Sequence, residues 1–228
     1  MTARKPSQPL AKPVAAESAR STASSGTLAD HFETLFNQDP DPWGYRTRWY
    51  ERRKRAQLLA SLPSERYASA FEPACANGEL SAELAARCDR LLCTDVSAAA
   101  VAHARDRLAA LTHVAVQNTS IPAAWPDGRF DLIVLSEIGY YLDDRALRAT
   151  IERAAASLTD GGTLIASHWR HPEGDYLRSG DEVHRLMAIA FQERFAWSRL
   201  LRHEEEDFLV EVWSPDGRSV ARREGLRP

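Results

Sequence analysis

A short apolar strand, a loop of small residues, a helix and a second apolar strand make a βαβ unit, and Tyr67 to Asp95 (YASAFEPACANGELSAELAARCDRLLCTD) has that order. Residues 68 to 72 are largely apolar and run into Pro73, and Ala74, Cys75, Ala76, Asn77 and Gly78 form the loop. Leu80, Leu84 and Ala85 then recur at helical spacing before Leu91, Leu92 and Cys93. Such a unit implies a parallel sheet with helices on its faces.

Glu72 closes the first strand and Asp95 closes the second. Ligands of such sheets bind beyond the carboxyl ends of the strands, and an acid about 20 residues past the loop accepts ribose hydroxyls. Asp95 is therefore the ribose candidate. A carboxylate at Glu72 would repel a pyrophosphate but suits an ammonium group, and the loop has only Gly78 where a phosphate cradle needs three glycines. Both features favour S-adenosylmethionine over a nicotinamide dinucleotide. The residues resemble the ExGxGxG motif of class I methyltransferases, with Ala74 and Ala76 in place of the first two glycines.

The 228 residues carry a net charge of −3 and an apolar share of 44%. That is enough for one sizeable core, and it favours neither a nucleic-acid nor a membrane partner. The three cysteines, Cys75, Cys88 and Cys93, lack metal-ligand spacing, so no metal site is expected, and reduced thiols suit a cytoplasmic protein.

Four segments are expected. Residues 1–26, rich in Ala, Ser, Pro and Lys/Arg, read as a disordered tail. Residues 27–62 read as a helical lid: Thr27 is a candidate N-cap, Leu28, Phe32, Leu35 and Phe36 share one face, and a second helix runs from about Tyr45 to Leu62. Tyr45 and Trp49 are candidates to touch a sulfonium from this lid. The run Arg46, Arg48, Arg52, Arg53, Lys54, Arg55 makes no single stripe and is expected on a solvated helix, with Arg46 or Arg48 a candidate to pair with the methionyl carboxylate or an anionic substrate. Residues 63–214 are the sheet domain and 215–228 an exposed tail.

Within the sheet domain, Ser97 would cap an Ala-rich helix, and HVAVQNTSIP reads as strand three. Phe130 to Leu135 is a buried parallel strand, with Ser136, Glu137, Ile138, Gly139, Tyr140 and Tyr141 over its end. Glu137 is the candidate to bind substrate or take a proton. TLIASHW is strand five, and the polar stretch after it offers His168, Arg170, His171, Asp175, Tyr176 and His184. His168, which ends the strand, is the second acid–base candidate. Trp197–His203 and Phe208–Ser214 read as an antiparallel edge.

The segments DPWGYRTRWYERRK, FEPACANGELSAELA, WPDGRFDLIVLSEIGYYL and DYLRSGDEVH, in that order, resemble the NodS family of nodulation methyltransferases over about Leu28 to Phe208. The resemblance implies a Rossmann-like seven-stranded class I methyltransferase sheet with helices on both faces. It implies S-adenosylmethionine as cofactor and an amine acceptor on a sugar, the free amine of a glucosamine in a deacetylated chitooligosaccharide. Another small metabolite remains the alternative acceptor. Cofactor contacts carried over are Glu72, Ala74, Asn77, Gly78, Asp95, Val96, Ser97, Asn118, Thr119 and Ser136, with Tyr45 and Trp49 from the lid. Tyr140, Tyr141, Arg170, Asp175 and His184 are the substrate candidates.

Overall fold

The computed structural model describes residues 27–228, so the expected tail over residues 1–26 lies outside the described residues. Two helices precede the sheet, α1 (Leu28–Gln38) and α2 (Trp49–Ala60). The sheet strands are β1 (Ala70–Pro73), β2 (Leu91–Asp95), β3 (Val114–Asn118), β4 (Phe130–Ser136), β5 (Leu158–Trp169), β6 (Ser198–Glu204) and β7 (Phe208–Ser214). Between them lie α3 (Glu79–Ala85), α4 (Ala98–Leu108), α5 (Asp144–Ser157) and α6 (Gly180–Ile189).

The strand order is β3-β2-β1-β4-β5-β7-β6. All pairs from β3 to β5 are parallel, whereas β7 runs antiparallel to both β5 and β6. This is the seven-stranded sheet of class I methyltransferases.

Strand periodicity divides the core in two. Ala70, Leu132, Val134 and Ile165 pack on one face with Leu58 and Leu84, while Phe71, Ile133, Leu135 and Leu164 pack on the other with Ile151 and Met187. Both faces of the central strands are covered, which is why these segments read as near-continuous apolar runs.

The two leading helices close over the carboxyl ends of the strands. Thr27 caps α1 through a reciprocal capping box with Asp30, as its sequence position suggested. Phe32 and Phe36 then pack against Ala100 of α4. The second helix begins four residues later than expected, at Trp49, because Asp41, Gly44 and Arg48 close a turn with Gly44 at φ 68°. The closing stretch, expected as an exposed tail, holds the short helix α7 (Val220–Arg223), and Arg223 returns to the Ser214 hydroxyl at 3.2 Å. No described helix is long and apolar enough to cross a membrane.

Leu58 anchors α2 in the first core layer at 2% exposure. Leu58→Ala is expected to cost about 2–5 kcal/mol, measured by urea unfolding of the purified chain.

Candidate functional site

A cavity of ≈ 350 Å³ lies at the carboxyl ends of β1, β2, β4 and β5 beneath α1 and α2. Its wall includes Glu72, Ala74, Cys75, Ala76, Asn77, Thr94, Asp95 and Val96 on one side and Ser136, Glu137, Tyr140, Tyr141 and Ser167 on the other, with Thr119 and Tyr45 contributing.

The loop after β1 reaches this geometry by accepting strain. Ala74 and Ala76 sit at φ 55° and 50°, the left-handed region where the related motif has glycine. The Ala76 N–H donates to Asp95 Oδ2 at 2.9 Å and the Ser97 N–H to Oδ1 at 2.9 Å, so one carboxylate ties together the loop and the start of α4. Asn77 Nδ2 donates to the Pro40 carbonyl and to Asp41, which fastens the segment before α2 to the loop.

Glu72 is 2% exposed, and no cation pairs with it among the described residues. Burial pushes its carboxyl up from 4.5 to about 7; the Ser81 hydroxyl and the Cys93 thiol oppose the rise, and the Asp95 charge adds to it. Burial also raises Asp95, against the Ser97 and Ala76 N–H groups that favour its charged form.

The opposite wall is a buried charge cluster. Lys54 Nζ lies 2.9 Å from Glu137 Oε1 and 2.9 Å from Glu51 Oε2. Burial works against the Lys54 ammonium, but Glu137 and Glu51 outweigh it and the pKa is raised. Glu137 Oε2 accepts the Tyr140 hydroxyl and the Trp169 N–H. The Glu137 backbone is left-handed, at φ 56°, and its N–H donates to the Ser167 carbonyl at 2.8 Å. Burial and the Glu137 charge hold the Tyr140 phenol well above its usual pKa, so it remains a proton donor.

Several expected residues lie elsewhere. Gly78 caps α3 at φ 78°, where a Cβ would stand 3.2 Å from Ala104, so its smallness serves helix packing. Ser97 is the α4 N-cap, and its hydroxyl donates to Glu33 of α1. Asn118 points back to the Asp95 and Val96 carbonyls and braces the loop from outside. Trp49 is 68% exposed, at the outward start of α2. Arg170 is held by Asp181 and Glu204. Asp175 is exposed and lies 3.6 Å from His31 on an outer cleft. His168 and His184 are buried behind the wall, because Ser167 takes the cavity face of β5 and the next residue must take the other.

Sequence reasoning missed Lys54 and Arg55. The basic run was expected on a solvated helix, yet Lys54 and Arg55 are buried cavity residues. Arg55 bridges Glu83 and the Tyr45 carbonyl. Arg46 pairs with Glu79, at 2.7 Å. The signal was present as spacing: Glu51, Lys54, Arg55 and Leu58 recur at i, i+3, i+4 and i+7, the inward face of α2.

The sequence model of the family described as Nodulation protein S (NodS) matches residues 30–172. The chain belongs to the NodS family. It is 33% identical over 144 residues to Nodulation protein S of Rhizobium tropici, a match over 59% of this chain and 60% of that protein. Among solved structures, it is similar to the N-methyltransferase NodS of Bradyrhizobium japonicum WM9 in complex with S-adenosyl-L-homocysteine. That match has 26% identity, a TM-score of 0.70, and covers 82% of this chain and 100% of that one. A candidate methyltransferase from Pseudomonas syringae is 50% identical with a TM-score of 0.65, covering 73% of this chain and 99% of that one.

The folded-state value of Glu72 lies above its unfolded value, so folding takes up a proton between the two. The ligand-free protein therefore loses stability as pH rises from 4.5 to about 7, by on the order of 3 kcal/mol from this group. Glu72→Gln is expected to melt higher than the native chain at pH 8 and at nearly the same temperature at pH 4.5, as read by thermal unfolding at both pH values.

Proposed function

We propose that this NodS-family chain is an S-adenosylmethionine-dependent N-methyltransferase acting in the cytoplasm. The observation that carries the reading is Glu72, a buried carboxylate facing the cavity with no cation paired to it among the described residues. Four further buried oxygens on the cavity wall, Asn77 Oδ1, Thr94 Oγ1, Thr119 Oγ1 and Ser167 Oγ, find no hydrogen-bond partner among the described residues. Unmet buried polar atoms and an unpaired carboxylate fit a polar ligand bearing an ammonium group.

When bound, S-adenosylmethionine supplies a methyl group made electrophilic by its sulfonium. Glu72 holds the ammonium of the methionyl part, and Asp95 accepts the ribose hydroxyls. Ala74, Asn77 and Val96 line the loop side of the ligand; Thr119 and Ser136 offer hydroxyls to it, and Tyr45 closes it from above. The α1 and α2 segment acts as the lid that excludes water.

The acceptor amine must arrive unprotonated and in line with the transferring methyl. Glu137 takes the proton the amine sheds on methylation in this reading, with the carboxylate oriented by Lys54 and Tyr140. Tyr45, Tyr140, Tyr141 and Tyr176 all feel the Glu137 charge, so the wall presents aromatic rings around an anion, a setting that suits the ammonium which methylation of the neutral amine produces. Family membership directs the acceptor toward the free amine of a glucosamine in a deacetylated chitooligosaccharide. Tyr140 and Tyr141 are the residues proposed to meet the sugar.

Calorimetric titration with S-adenosylhomocysteine, beside NADH as control, tests the cofactor; saturable binding of the first alone is expected. Asp95→Ala is expected to abolish that binding, and unchanged affinity would remove the ribose assignment. Glu137→Gln is expected to keep the affinity within about threefold and to lower kcat on the order of 100-fold. Transfer to a small primary amine but not to a chitooligosaccharide with a free terminal amine would move the acceptor to another metabolite.

A further inference from the structure

Behind the cavity wall runs a chain of buried polar groups that the methyl-transfer reading does not use. The Gly139 N–H donates to His168 Nε2 at 3.0 Å, His168 Nδ1 lies 3.1 Å from His184 Nε2, and His184 Nδ1 lies 2.9 Å from Glu211 Oε2. Glu211 Oε1 accepts from Arg199 at 2.8 Å and from Arg202 at 2.9 Å. His168, His184 and Glu211 are at most 1% exposed.

The direction of every bond is determined by its first member. An amide N–H can only donate, so His168 Nε2 carries no hydrogen, and a neutral imidazole in that state must carry it on Nδ1. That hydrogen points at His184 Nε2, which must accept, so the hydrogen of His184 sits on Nδ1 and points at Glu211. The carboxylate takes it, and the two guanidinium groups balance the charge. Protonating either ring would set two donors against each other. Consistent with a neutral His168, burial pushes its imidazole down to about 3. Burial opposes the Glu211 charge, yet the His184 hydrogen bond and the two arginines hold its pKa below the carboxylate norm.

The surrounding chain is built to admit this relay. A Cβ on Gly139 would lie 2.4 Å from Val183 Cγ1 and 3.0 Å from His168 Nε2. A Cβ on Gly180, at the start of α6, would lie 2.2 Å from the Trp169 carbonyl oxygen. Two glycines thus let the 137–141 turn and α6 close on His168. On β6, a register shift between Arg199 and Leu201 breaks the alternation, so Arg199 and Arg202 both reach the face of Glu211.

We infer that His168 and His184 are positioning residues: the chain from Arg199 and Arg202 through Glu211, His184 and His168 to the Gly139 N–H anchors the turn that carries Glu137 and Tyr140. The catalytic consequence rests on the proposed methyl-transfer reading; the relay itself does not. A fully satisfied buried network of this kind fixes one arrangement of its members, whereas a broken one leaves polar atoms unpaired.

Two measurements on the full chain test it. Nitrogen NMR of the native protein at pH 7 is expected to show both rings neutral with the hydrogen on Nδ1; a charged ring or an Nε2–H form at either position overturns the relay. His184→Leu, which can neither accept nor donate, is expected to lower kcat at least tenfold while S-adenosylhomocysteine affinity stays within about threefold. His184→Gln, which can do both, is expected to return kcat to within about threefold of native. Both variants turning over like the native chain below their melting temperatures, or both falling equally, overturns the positioning role. Native protein that transfers no methyl group refutes the functional reading instead, and the relay is then judged by the ring tautomers alone.

Discussion

Consecutive residues of a β-strand point to opposite faces, and the carboxyl ends of β4 and β5 turn that rule into a division of labour. Ser167 faces the cavity while His168 enters the second core layer beneath α6. Past the end of β4 the alternation is broken at Glu137, whose left-handed backbone returns its carboxylate to the cavity wall. This wall of the cavity therefore depends on a strained residue held between Lys54, Tyr140 and the β5 backbone.

The cavity is electrostatically uneven. One wall holds Glu72 without a counter-charge among the described residues, and its carboxyl is pushed up to about 7. The other holds Glu51 and Glu137 beside Lys54. Burying the Glu72 carboxylate in this way costs stability, which a cation bound beside it would offset. The alanines of the β1 loop act similarly: Ala74 and Ala76 tolerate left-handed angles because Asp95 holds the loop by its N–H.

Much of the fold was legible in the chain. The βαβ unit, the capping box at Thr27, the buried strand from Phe130 and the antiparallel edge all follow from apolar periodicity and turn chemistry, and the structure has them within a few residues. Glu72 and Asp95 were legible because they end apolar strands, where a carboxylate has no packing reason to be. The second helix was harder. Its inward face is Glu51, Lys54, Arg55 and Leu58, so a pattern that weighs charge as exposure reads it as solvated.

What residue order alone decides here is the class of the sheet and the acids at its strand ends, because strand length, alternation and turn residues act over a few neighbours. What only the folded chain decides is which polar groups meet. Lys54 reaches Glu137 from a helix far away in sequence, His168 joins His184 and Glu211 from β5, α6 and β7, and a shifted register on β6 brings two arginines to one carboxylate. Those contacts are long-range, and local sequence carries no term for them. The histidines looked like site residues by type and position; the alternation of β5 and the packing of α6 place them behind the wall instead.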